Sequence, residues 1–272
     1  MPTVNYVVAM WTGTRAHEDT RARVDRTFFM REHIRALEAL EHSLDQITVV
    51  LAEGGDAEAD AFIKSIDRIG DTPVKVLVRE NTGYSYASWN HAFETFRDAF
   101  DYYILIEDDY IPWADGFDEI LVAHAKEKNT YVCSLATRGG RHGAISNGIV
   151  PSKVWEKVHP APFAHGSETR NGNDSQRQWT MWFAEKGFWV KDHTDTHSSP
   201  FWNGHSIRWY GDLSKPVLMM PIHAARRFVK VTTRGGPTVR VRSDSFGSYE
   251  IYEQDAEAWA DMVAASLPGG AD

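Results

Sequence analysis

Three consecutive acids, Glu107, Asp108 and Asp109, stand near the end of "DYYILIEDDYIP", residues 101–112. The apolar run Tyr102 to Ile106 leads straight into them, and the chain is expected to turn at Pro112. Like charges packed together repel, so the arrangement costs free energy unless a cation sits among them. Carboxylate oxygens are hard donors that suit Mg²⁺ or Mn²⁺. Successive residues at a strand end alternate in direction, which predicts Glu107 and Asp109 on one side and Asp108 on the other. An ion held there would act as a Lewis acid and neutralise the two phosphates of a nucleotide-diphosphate leaving group. The plainer alternative is that acids often end strands and enter loops.

The elements that would position these acids follow from apolar periodicity. "NYVVAMW", "DQITVVLAE", "PVKVLVRE", "YYILIEDD" and "TYVCSLA" read as strands. Between them lie helices: one with Met30, Ile34, Leu37, Leu40 and Leu44 at helical spacing, and one with Phe62, Ile66 and Ile69 on one face. A third aligns Trp89, Phe93, Phe96 and Phe100, and a fourth runs near residues 116–128. Continuous apolar strands alternating with amphipathic helices imply an α/β fold with a mostly parallel sheet covered on both faces. Ligands in such sheets bind outside the carboxyl ends of the strands. Those ends here are "WTGTR", "AEGGD", "RENTG" and "EDDYIP", all polar, glycine-bearing or acidic. There is no GxGxxG after the first strand and no GxxxxGK[ST], which disfavours a nicotinamide site and a P-loop.

The chain has 272 residues, 42% of them hydrophobic and 25% charged, and a formal charge of −9. Such a charge argues against a protein that coats nucleic acid non-specifically. No apolar run approaches the ~18 residues that span a bilayer. The first residues lack a basic region and a cleavage site and read as a strand, so the expected location is cytoplasmic. Cys133, the one cysteine, excludes an internal disulfide and fits a reducing compartment as core filler. Charge is uneven, however. Residues 213–243 contain no acid, while Lys215, Arg226, Arg227, Lys230, Arg234, Arg240 and Arg242 supply cations. That tract is either a solvated face or a surface for an anionic partner, such as a diphosphate, a phospholipid-linked acceptor or a nucleic acid.

"YYILIEDDYIP" resembles the DxD region of GT-A fold glycosyltransferases in its Glu-Asp-Asp form. The resemblance implies Asp109 as direct metal ligand, with Glu107 and Asp108 on ribose and metal-bound waters. "NTGYSYASWNHAFE" is similar to the N-x-G…A-R-N-x-G segment of glycosyltransferase family 2, with Asn81, Gly83 and Asn90 in matching places. Trp89 stands where that family has arginine, and Ala92 where it has the second glycine. Glu53 occupies the position of an acid that contacts the nucleotide base. "NGNDSQRQWTMWFAEKGFWV" looks like the family's acidic motif and following helix, which makes Asp174 the implied general base, with Asn173 in place of the first acid. A carboxylate can take the acceptor's proton as the hydroxyl attacks the anomeric carbon. Asp174 also suits a helix N-cap, and both roles can hold together. "HGAISNGIVPSKVWEKV" resembles the stretch that lines the acceptor side.

Many members of this fold complete the metal shell with a histidine beyond the base. Candidates are His193, His197, His205 and His223, with His197 first by its distance after Gly187. Among the clustered tryptophans 179, 182, 189, 202 and 209, Trp202 and Trp209 have the polar neighbours expected of an acceptor groove, with Arg226 and Arg227 beyond them. The expected organisation is a GT-A domain over residues 1–212, with a donor half of about 1–112 and an acceptor half of about 113–212. A basic C-terminal extension covers 213–272 and ends in the expected helix "YEQDAEAWADMVAASL". The expected activity is metal-dependent, inverting transfer of a sugar, first of all from a UDP-sugar, to an acceptor hydroxyl. Rival readings of the same scaffold are a transferase acting on a hydroxylated base in DNA, a nucleotidyltransferase, and a non-catalytic sugar or nucleic-acid binding protein.

Overall fold

All seven residues of the first strand, β1 (Val4–Met10), are buried, as a strand covered on both faces requires. Its side chains divide between two cores. Val4, Tyr6, Val8 and Met10 enter one apolar cluster, and Val7 and Ala9 enter the other. The computed structural model describes residues 1–13, 26–108, 110–112, 115–133, 147–161, 173–188, 191–192, 201–203, 229–233, 238–243 and 247–252.

The chain continues through α1 (Phe28–Ala39), β2 (Gln46–Ala52), α2 (Ala57–Lys64), β3 (Arg68–Ile69), β4 (Thr72–Arg79) and α3 (Tyr84–Phe96). Next come β5 (Tyr102–Glu107), β6 (Tyr110–Pro112), α4 (Phe117–Lys128), β7 (Val132–Cys133), β8 (Gly148–Pro151), α5 (Ser152–Val158), α6 (Asn173–Glu185) and β9 (Lys191–Asp192). One sheet takes the order β3-β4-β2-β1-β5-β8-β7-β9. β4, β2, β1 and β5 are parallel, whereas β8 runs antiparallel to both β5 and β7. Met30 and Leu37 of α1, Ile63 of α2, and Phe117 and Leu121 of α4 cover one face. Trp89 and Phe93 of α3, Trp155 of α5, and Trp179 and Phe183 of α6 cover the other. The expected helix-covered α/β sheet is therefore the observed architecture.

Several boundaries depart from the expectation. The helix expected to carry Ile66 and Ile69 stops at Lys64, where Ser65 Oγ donates to the Phe62 carbonyl at 2.7 Å. Ile69 instead belongs to β3, which pairs antiparallel with β4 across a two-residue turn. Gly70 opens that turn at φ 53°, the backbone that tight hairpins demand and a side chain resists. Pro112, where the chain was expected to turn, is itself a strand residue. It ends β6, which pairs with β10 (Phe201–Asn203) in a two-stranded ribbon. A proline suits such an edge because it has no N–H to lend to a ladder.

The basic tract forms strands in its described parts. β11 (Val229–Thr233), β12 (Thr238–Ser243) and β13 (Gly247–Tyr252) make an antiparallel three-stranded sheet. Its register sets Lys230 opposite Arg242 and Arg240 opposite Glu250. Tyr252, the first residue of the expected terminal helix, closes β13, and the residues after it lie outside those described. Among the described residues no helix is long and apolar enough to cross a membrane.

Asp118, in the first turn of α4, is 1% exposed and accepts the Ser43 N–H at 2.8 Å through Oδ2. Its Oδ1 is buried and has no partner among the described residues. Burial raises its pKa against the opposing pull of the Ser43 amide. A raised carboxylate pKa favours the protonated native state, so stability falls as pH climbs from the unfolded pKa through the folded one. Asp118→Asn is expected to gain stability over the parent across that window and to hold the gain at neutral pH. Denaturant midpoints of both proteins between pH 3 and 8 check this, and an unchanging difference would contradict it.

Candidate active site

β1 is the point from which the sheet grows both ways: β2 and β4 follow on one side, β5 on the other. Connections leaving β1 and β5 in opposite directions open a crevice beyond their carboxyl ends, the usual ligand site of an open α/β sheet. A cleft of about 190 Å³ lies there. Met10 and Trp11 come from β1 and its tip, Ala52 from β2, Arg79 from β4, and Glu107 and Asp108 from β5 and its tip. Asn81, Tyr84, Ser85 and Ser88 come from the start of α3 and the loop before it.

Alternation was expected to send Asp108 away from Glu107; the structure puts both on the cleft wall. The reason is where the strand ends. Glu107 is the last residue of β5, and Asp108 turns out of the ladder after its N–H reaches the Ala9 carbonyl at 3.1 Å. The Asp108 carbonyl accepts from His33 Nε2 at 2.9 Å, and its Oδ2 accepts the Trp11 N–H at 3.4 Å. Backbone and side chain of Asp108, itself 5% exposed, are thereby held from two elements. Glu107 is held as firmly. Its Oε1 accepts from Ser85 Oγ at 2.8 Å and its Oε2 from Asn147 Nδ2 at 3.5 Å, while its N–H donates to Asn147 Oδ1.

On the opposite wall, Arg79 spans the cleft floor and the start of α3. Its Nε donates to Ser88 Oγ at 2.9 Å, and its other nitrogens donate to the Tyr84 and Glu80 carbonyls. Burial lowers its pKa, partly offset by Glu80. The loop it grips turns through two left-handed residues, Gly83 at φ 68° and Tyr84 at φ 55°. For a tyrosine that backbone is strained, and such strain concentrates where a ligand or a tight turn imposes it.

The residues singled out in the sequence fall in different places. Asn81, Glu107 and Asp108 line the cleft, and Gly83 forms its α3 turn. Glu53 is exposed next to the lining residue Ala52, its N–H on the Arg79 carbonyl at 2.9 Å. Asn90 is buried away from the lining, its Nδ2 donating to the Ala161 carbonyl at 2.8 Å. Trp89, at the arginine position of the resemblance, is a core residue with its indole N–H on the Ile106 carbonyl at 3.4 Å. Asp174 sits in the first turn of α6, the helix that Trp179 seats against Tyr86 of α3 at 4.9 Å. Trp202 is opposite Ile111 in the ribbon, which brings its backbone beside the segment that follows the acids. Asp109, His197, Trp209, Arg226 and Arg227 lie outside the described residues.

The sequence singled out none of Trp11, Arg79, Tyr84, Ser85 and Ser88 individually, although Trp11 and Arg79 open the strand ends "WTGTR" and "RENTG" on the expected ligand side.

Among the described residues no three His, Cys, Asp or Glu side chains gather as a metal centre. Two carboxylates on one cleft wall still fit Mg²⁺ or Mn²⁺, which take one or two protein carboxylates and fill the remaining positions with water and phosphate oxygens. A thiolate- or imidazole-preferring ion finds no comparable donor set in this lining.

No family model matches the sequence, and no curated protein matches it. Among solved structures, the chain is similar to S. aureus TarS at 9% identity and TM-score 0.46, over 70% of this chain and 35% of that one. It is also similar to 4-diphosphocytidyl-2C-methyl-D-erythritol synthase from Anaerococcus prevotii, at 12% identity and TM-score 0.46, over 70% and 86% of the two chains. A cytidylyltransferase from Leptospira borgpetersenii matches at 11% identity and TM-score 0.46, over 71% and 76%. The chain thus spans about a third of the length of TarS.

Proposed function

We propose that this chain is a metal-dependent glycosyltransferase of GT-A type that moves a sugar from a nucleotide diphosphate to an acceptor hydroxyl. The observation that carries this reading is the pair Glu107 and Asp108 on the wall of the crevice at the sheet's switch point. The nucleotide would lie across the strand ends, with Trp11 and Arg79 at the base and ribose and Asn81 and Ser85 near the phosphates. Mg²⁺ or Mn²⁺, held through Asp109 with Glu107 and Asp108 in support, would supply charge neutralisation of the departing diphosphate. Asp174, at the start of a helix anchored on α3, would take the acceptor's proton, and direct displacement would invert the anomeric centre. His197 would complete the metal shell. Trp202 and Trp209, with Arg226 and Arg227, would bound the acceptor, and the basic tract over 213–243 supports an anionic one, phospholipid-linked or nucleic acid.

Thermal unfolding against UDP, GDP, CDP, ADP and TDP, with and without Mn²⁺, tests the donor site. At about 100 times its Kd a ligand should stabilise the fold by roughly 2.7 kcal/mol. The expected result is a Mn²⁺-dependent shift with one nucleotide, UDP first, that Asp109→Asn removes. No shift with any of them would sink the donor-site reading. A second reading, nucleotidyl transfer, draws on Arg26, which donates to the Gly13 carbonyl at 3.0 Å and so brings a cation to the β1 tip. Release of pyrophosphate from a nucleoside triphosphate and a sugar phosphate would select it.

A further inference from the structure

Directly behind the acid turn lies a histidine that the chemistry above does not use. His33, on α1, is 0% exposed. Its Nε2 is 2.9 Å from the Asp108 carbonyl oxygen and its Nδ1 is 3.2 Å from the Tyr6 hydroxyl of β1. A carbonyl oxygen can only accept, so Nε2 carries the proton. The bare Nδ1 of the neutral ring then accepts the Tyr6 O–H. One tautomer satisfies both contacts and links β1, α1 and the β5 tip in a directed chain: Tyr6 O–H to Nδ1, Nε2–H to Asp108 O. Tyr6 is itself 0% exposed, and its ring packs on Phe117 at 5.8 Å, which fixes the start of the chain against α4.

We propose that His33 is a positioning residue for the acid turn. By holding the Asp108 carbonyl it fixes the backbone where the chain leaves β5, and so the direction in which the Asp108 carboxylate meets the cleft. Apolar filler of similar size would occupy the space but remove the N–H that the Asp108 carbonyl accepts, and with it this restraint on the turn. Groups that orient a metal-binding residue from behind commonly govern affinity about 10- to 100-fold. The metal part of this inference rests on the donor-site reading; the orientation of the turn does not.

The test compares the parent with His33→Leu, His33→Gln and Tyr6→Phe in the full chain. Two quantities are read on each: Mn²⁺ affinity in the presence of UDP, from the paramagnetic signal of free Mn²⁺, and amide exchange of residues 106–110. His33→Leu is expected to bind Mn²⁺ about 10- to 100-fold more weakly and to exchange faster at 106–110, with β1 and β2 still protected. His33→Gln, which keeps an N–H donor, should recover part of both losses, and Tyr6→Phe should show a smaller loss of the same kind. Should His33→Leu fail to fold, the other two variants decide. Melting temperatures that fall while Mn²⁺ affinity and exchange at 106–110 match the parent would reduce His33 to core packing and overturn the proposal. If the parent binds no Mn²⁺, the donor-site reading falls instead, and exchange at the turn still decides whether His33 orients it.

Discussion

Asp174→Asn is expected to lower kcat by about 10²- to 10⁴-fold while leaving donor affinity within a few-fold of the parent. The magnitude is what a positioned general base supplies. The split between kcat and binding follows from the role, because a base acts on the acceptor hydroxyl and not on the donor. Asparagine keeps the size of the side chain, and in the first turn of α6 the change removes only a charge, so the fold should be little affected. Titration with the nucleotide identified by thermal unfolding, followed by single-turnover transfer from its sugar, separates the two quantities. A variant with parental kcat would remove Asp174 from the chemistry and leave it as an acid in the first turn of α6. Equal losses in binding and turnover would place it on the donor.

The largest effect on stability should come from Trp179→Ala, at about 3–5 kcal/mol. Trp179 is 0% exposed and meets Tyr86 at 4.9 Å, Trp89 at 5.8 Å and Trp155 at 6.2 Å between ring centres. Truncation would leave a cavity walled by four other aromatic rings, Phe183 included, which collapse poorly into the space. For a chain of this size the melting temperature should fall by roughly 10 °C. The consequence reaches the site, because the same ring seats α6, and with it Asp174, against α3. Trp179→Phe should cost much less. It keeps most of the ring area, and the indole N–H it deletes is buried without an acceptor among the described residues. Calorimetry on both variants checks the ranking; equal losses would show that the indole N–H matters after all.

The layering of the fold was readable in advance because β1, β2 and β5 are buried along nearly their whole length. Full burial on both faces leaves continuous apolar runs, and those runs end at the crevice, so the acids stood out at 107–109. Period alone could not say where α2 stops. Ile66 and Ile69 continue the helical spacing, but Gly70 closes a hairpin that needs Ile69 on an edge strand. Motif spacing misjudged neighbours in the same way. Asn81 and Asn90 belong to one quoted segment, yet Asn81 lies in the loop before α3 and lines the cleft, whereas Asn90 sits well inside α3 on the face that ties it to Ala161.

Local pattern therefore settled the main strands and helices of the first half of the chain, and that acids cluster at one strand end. Tertiary contact settled what those acids face. Asp108 joins Glu107 on the cleft wall because its N–H closes on Ala9, 99 positions back in the chain, and its carbonyl on His33, 75 positions back. Arg79, Ser85 and Trp11 become one lining only when β4, α3 and β1 are set side by side. Hydrogen bonds and burial depend on distance in space, and no period of 2 or 3.6 residues encodes a partner that far along the chain.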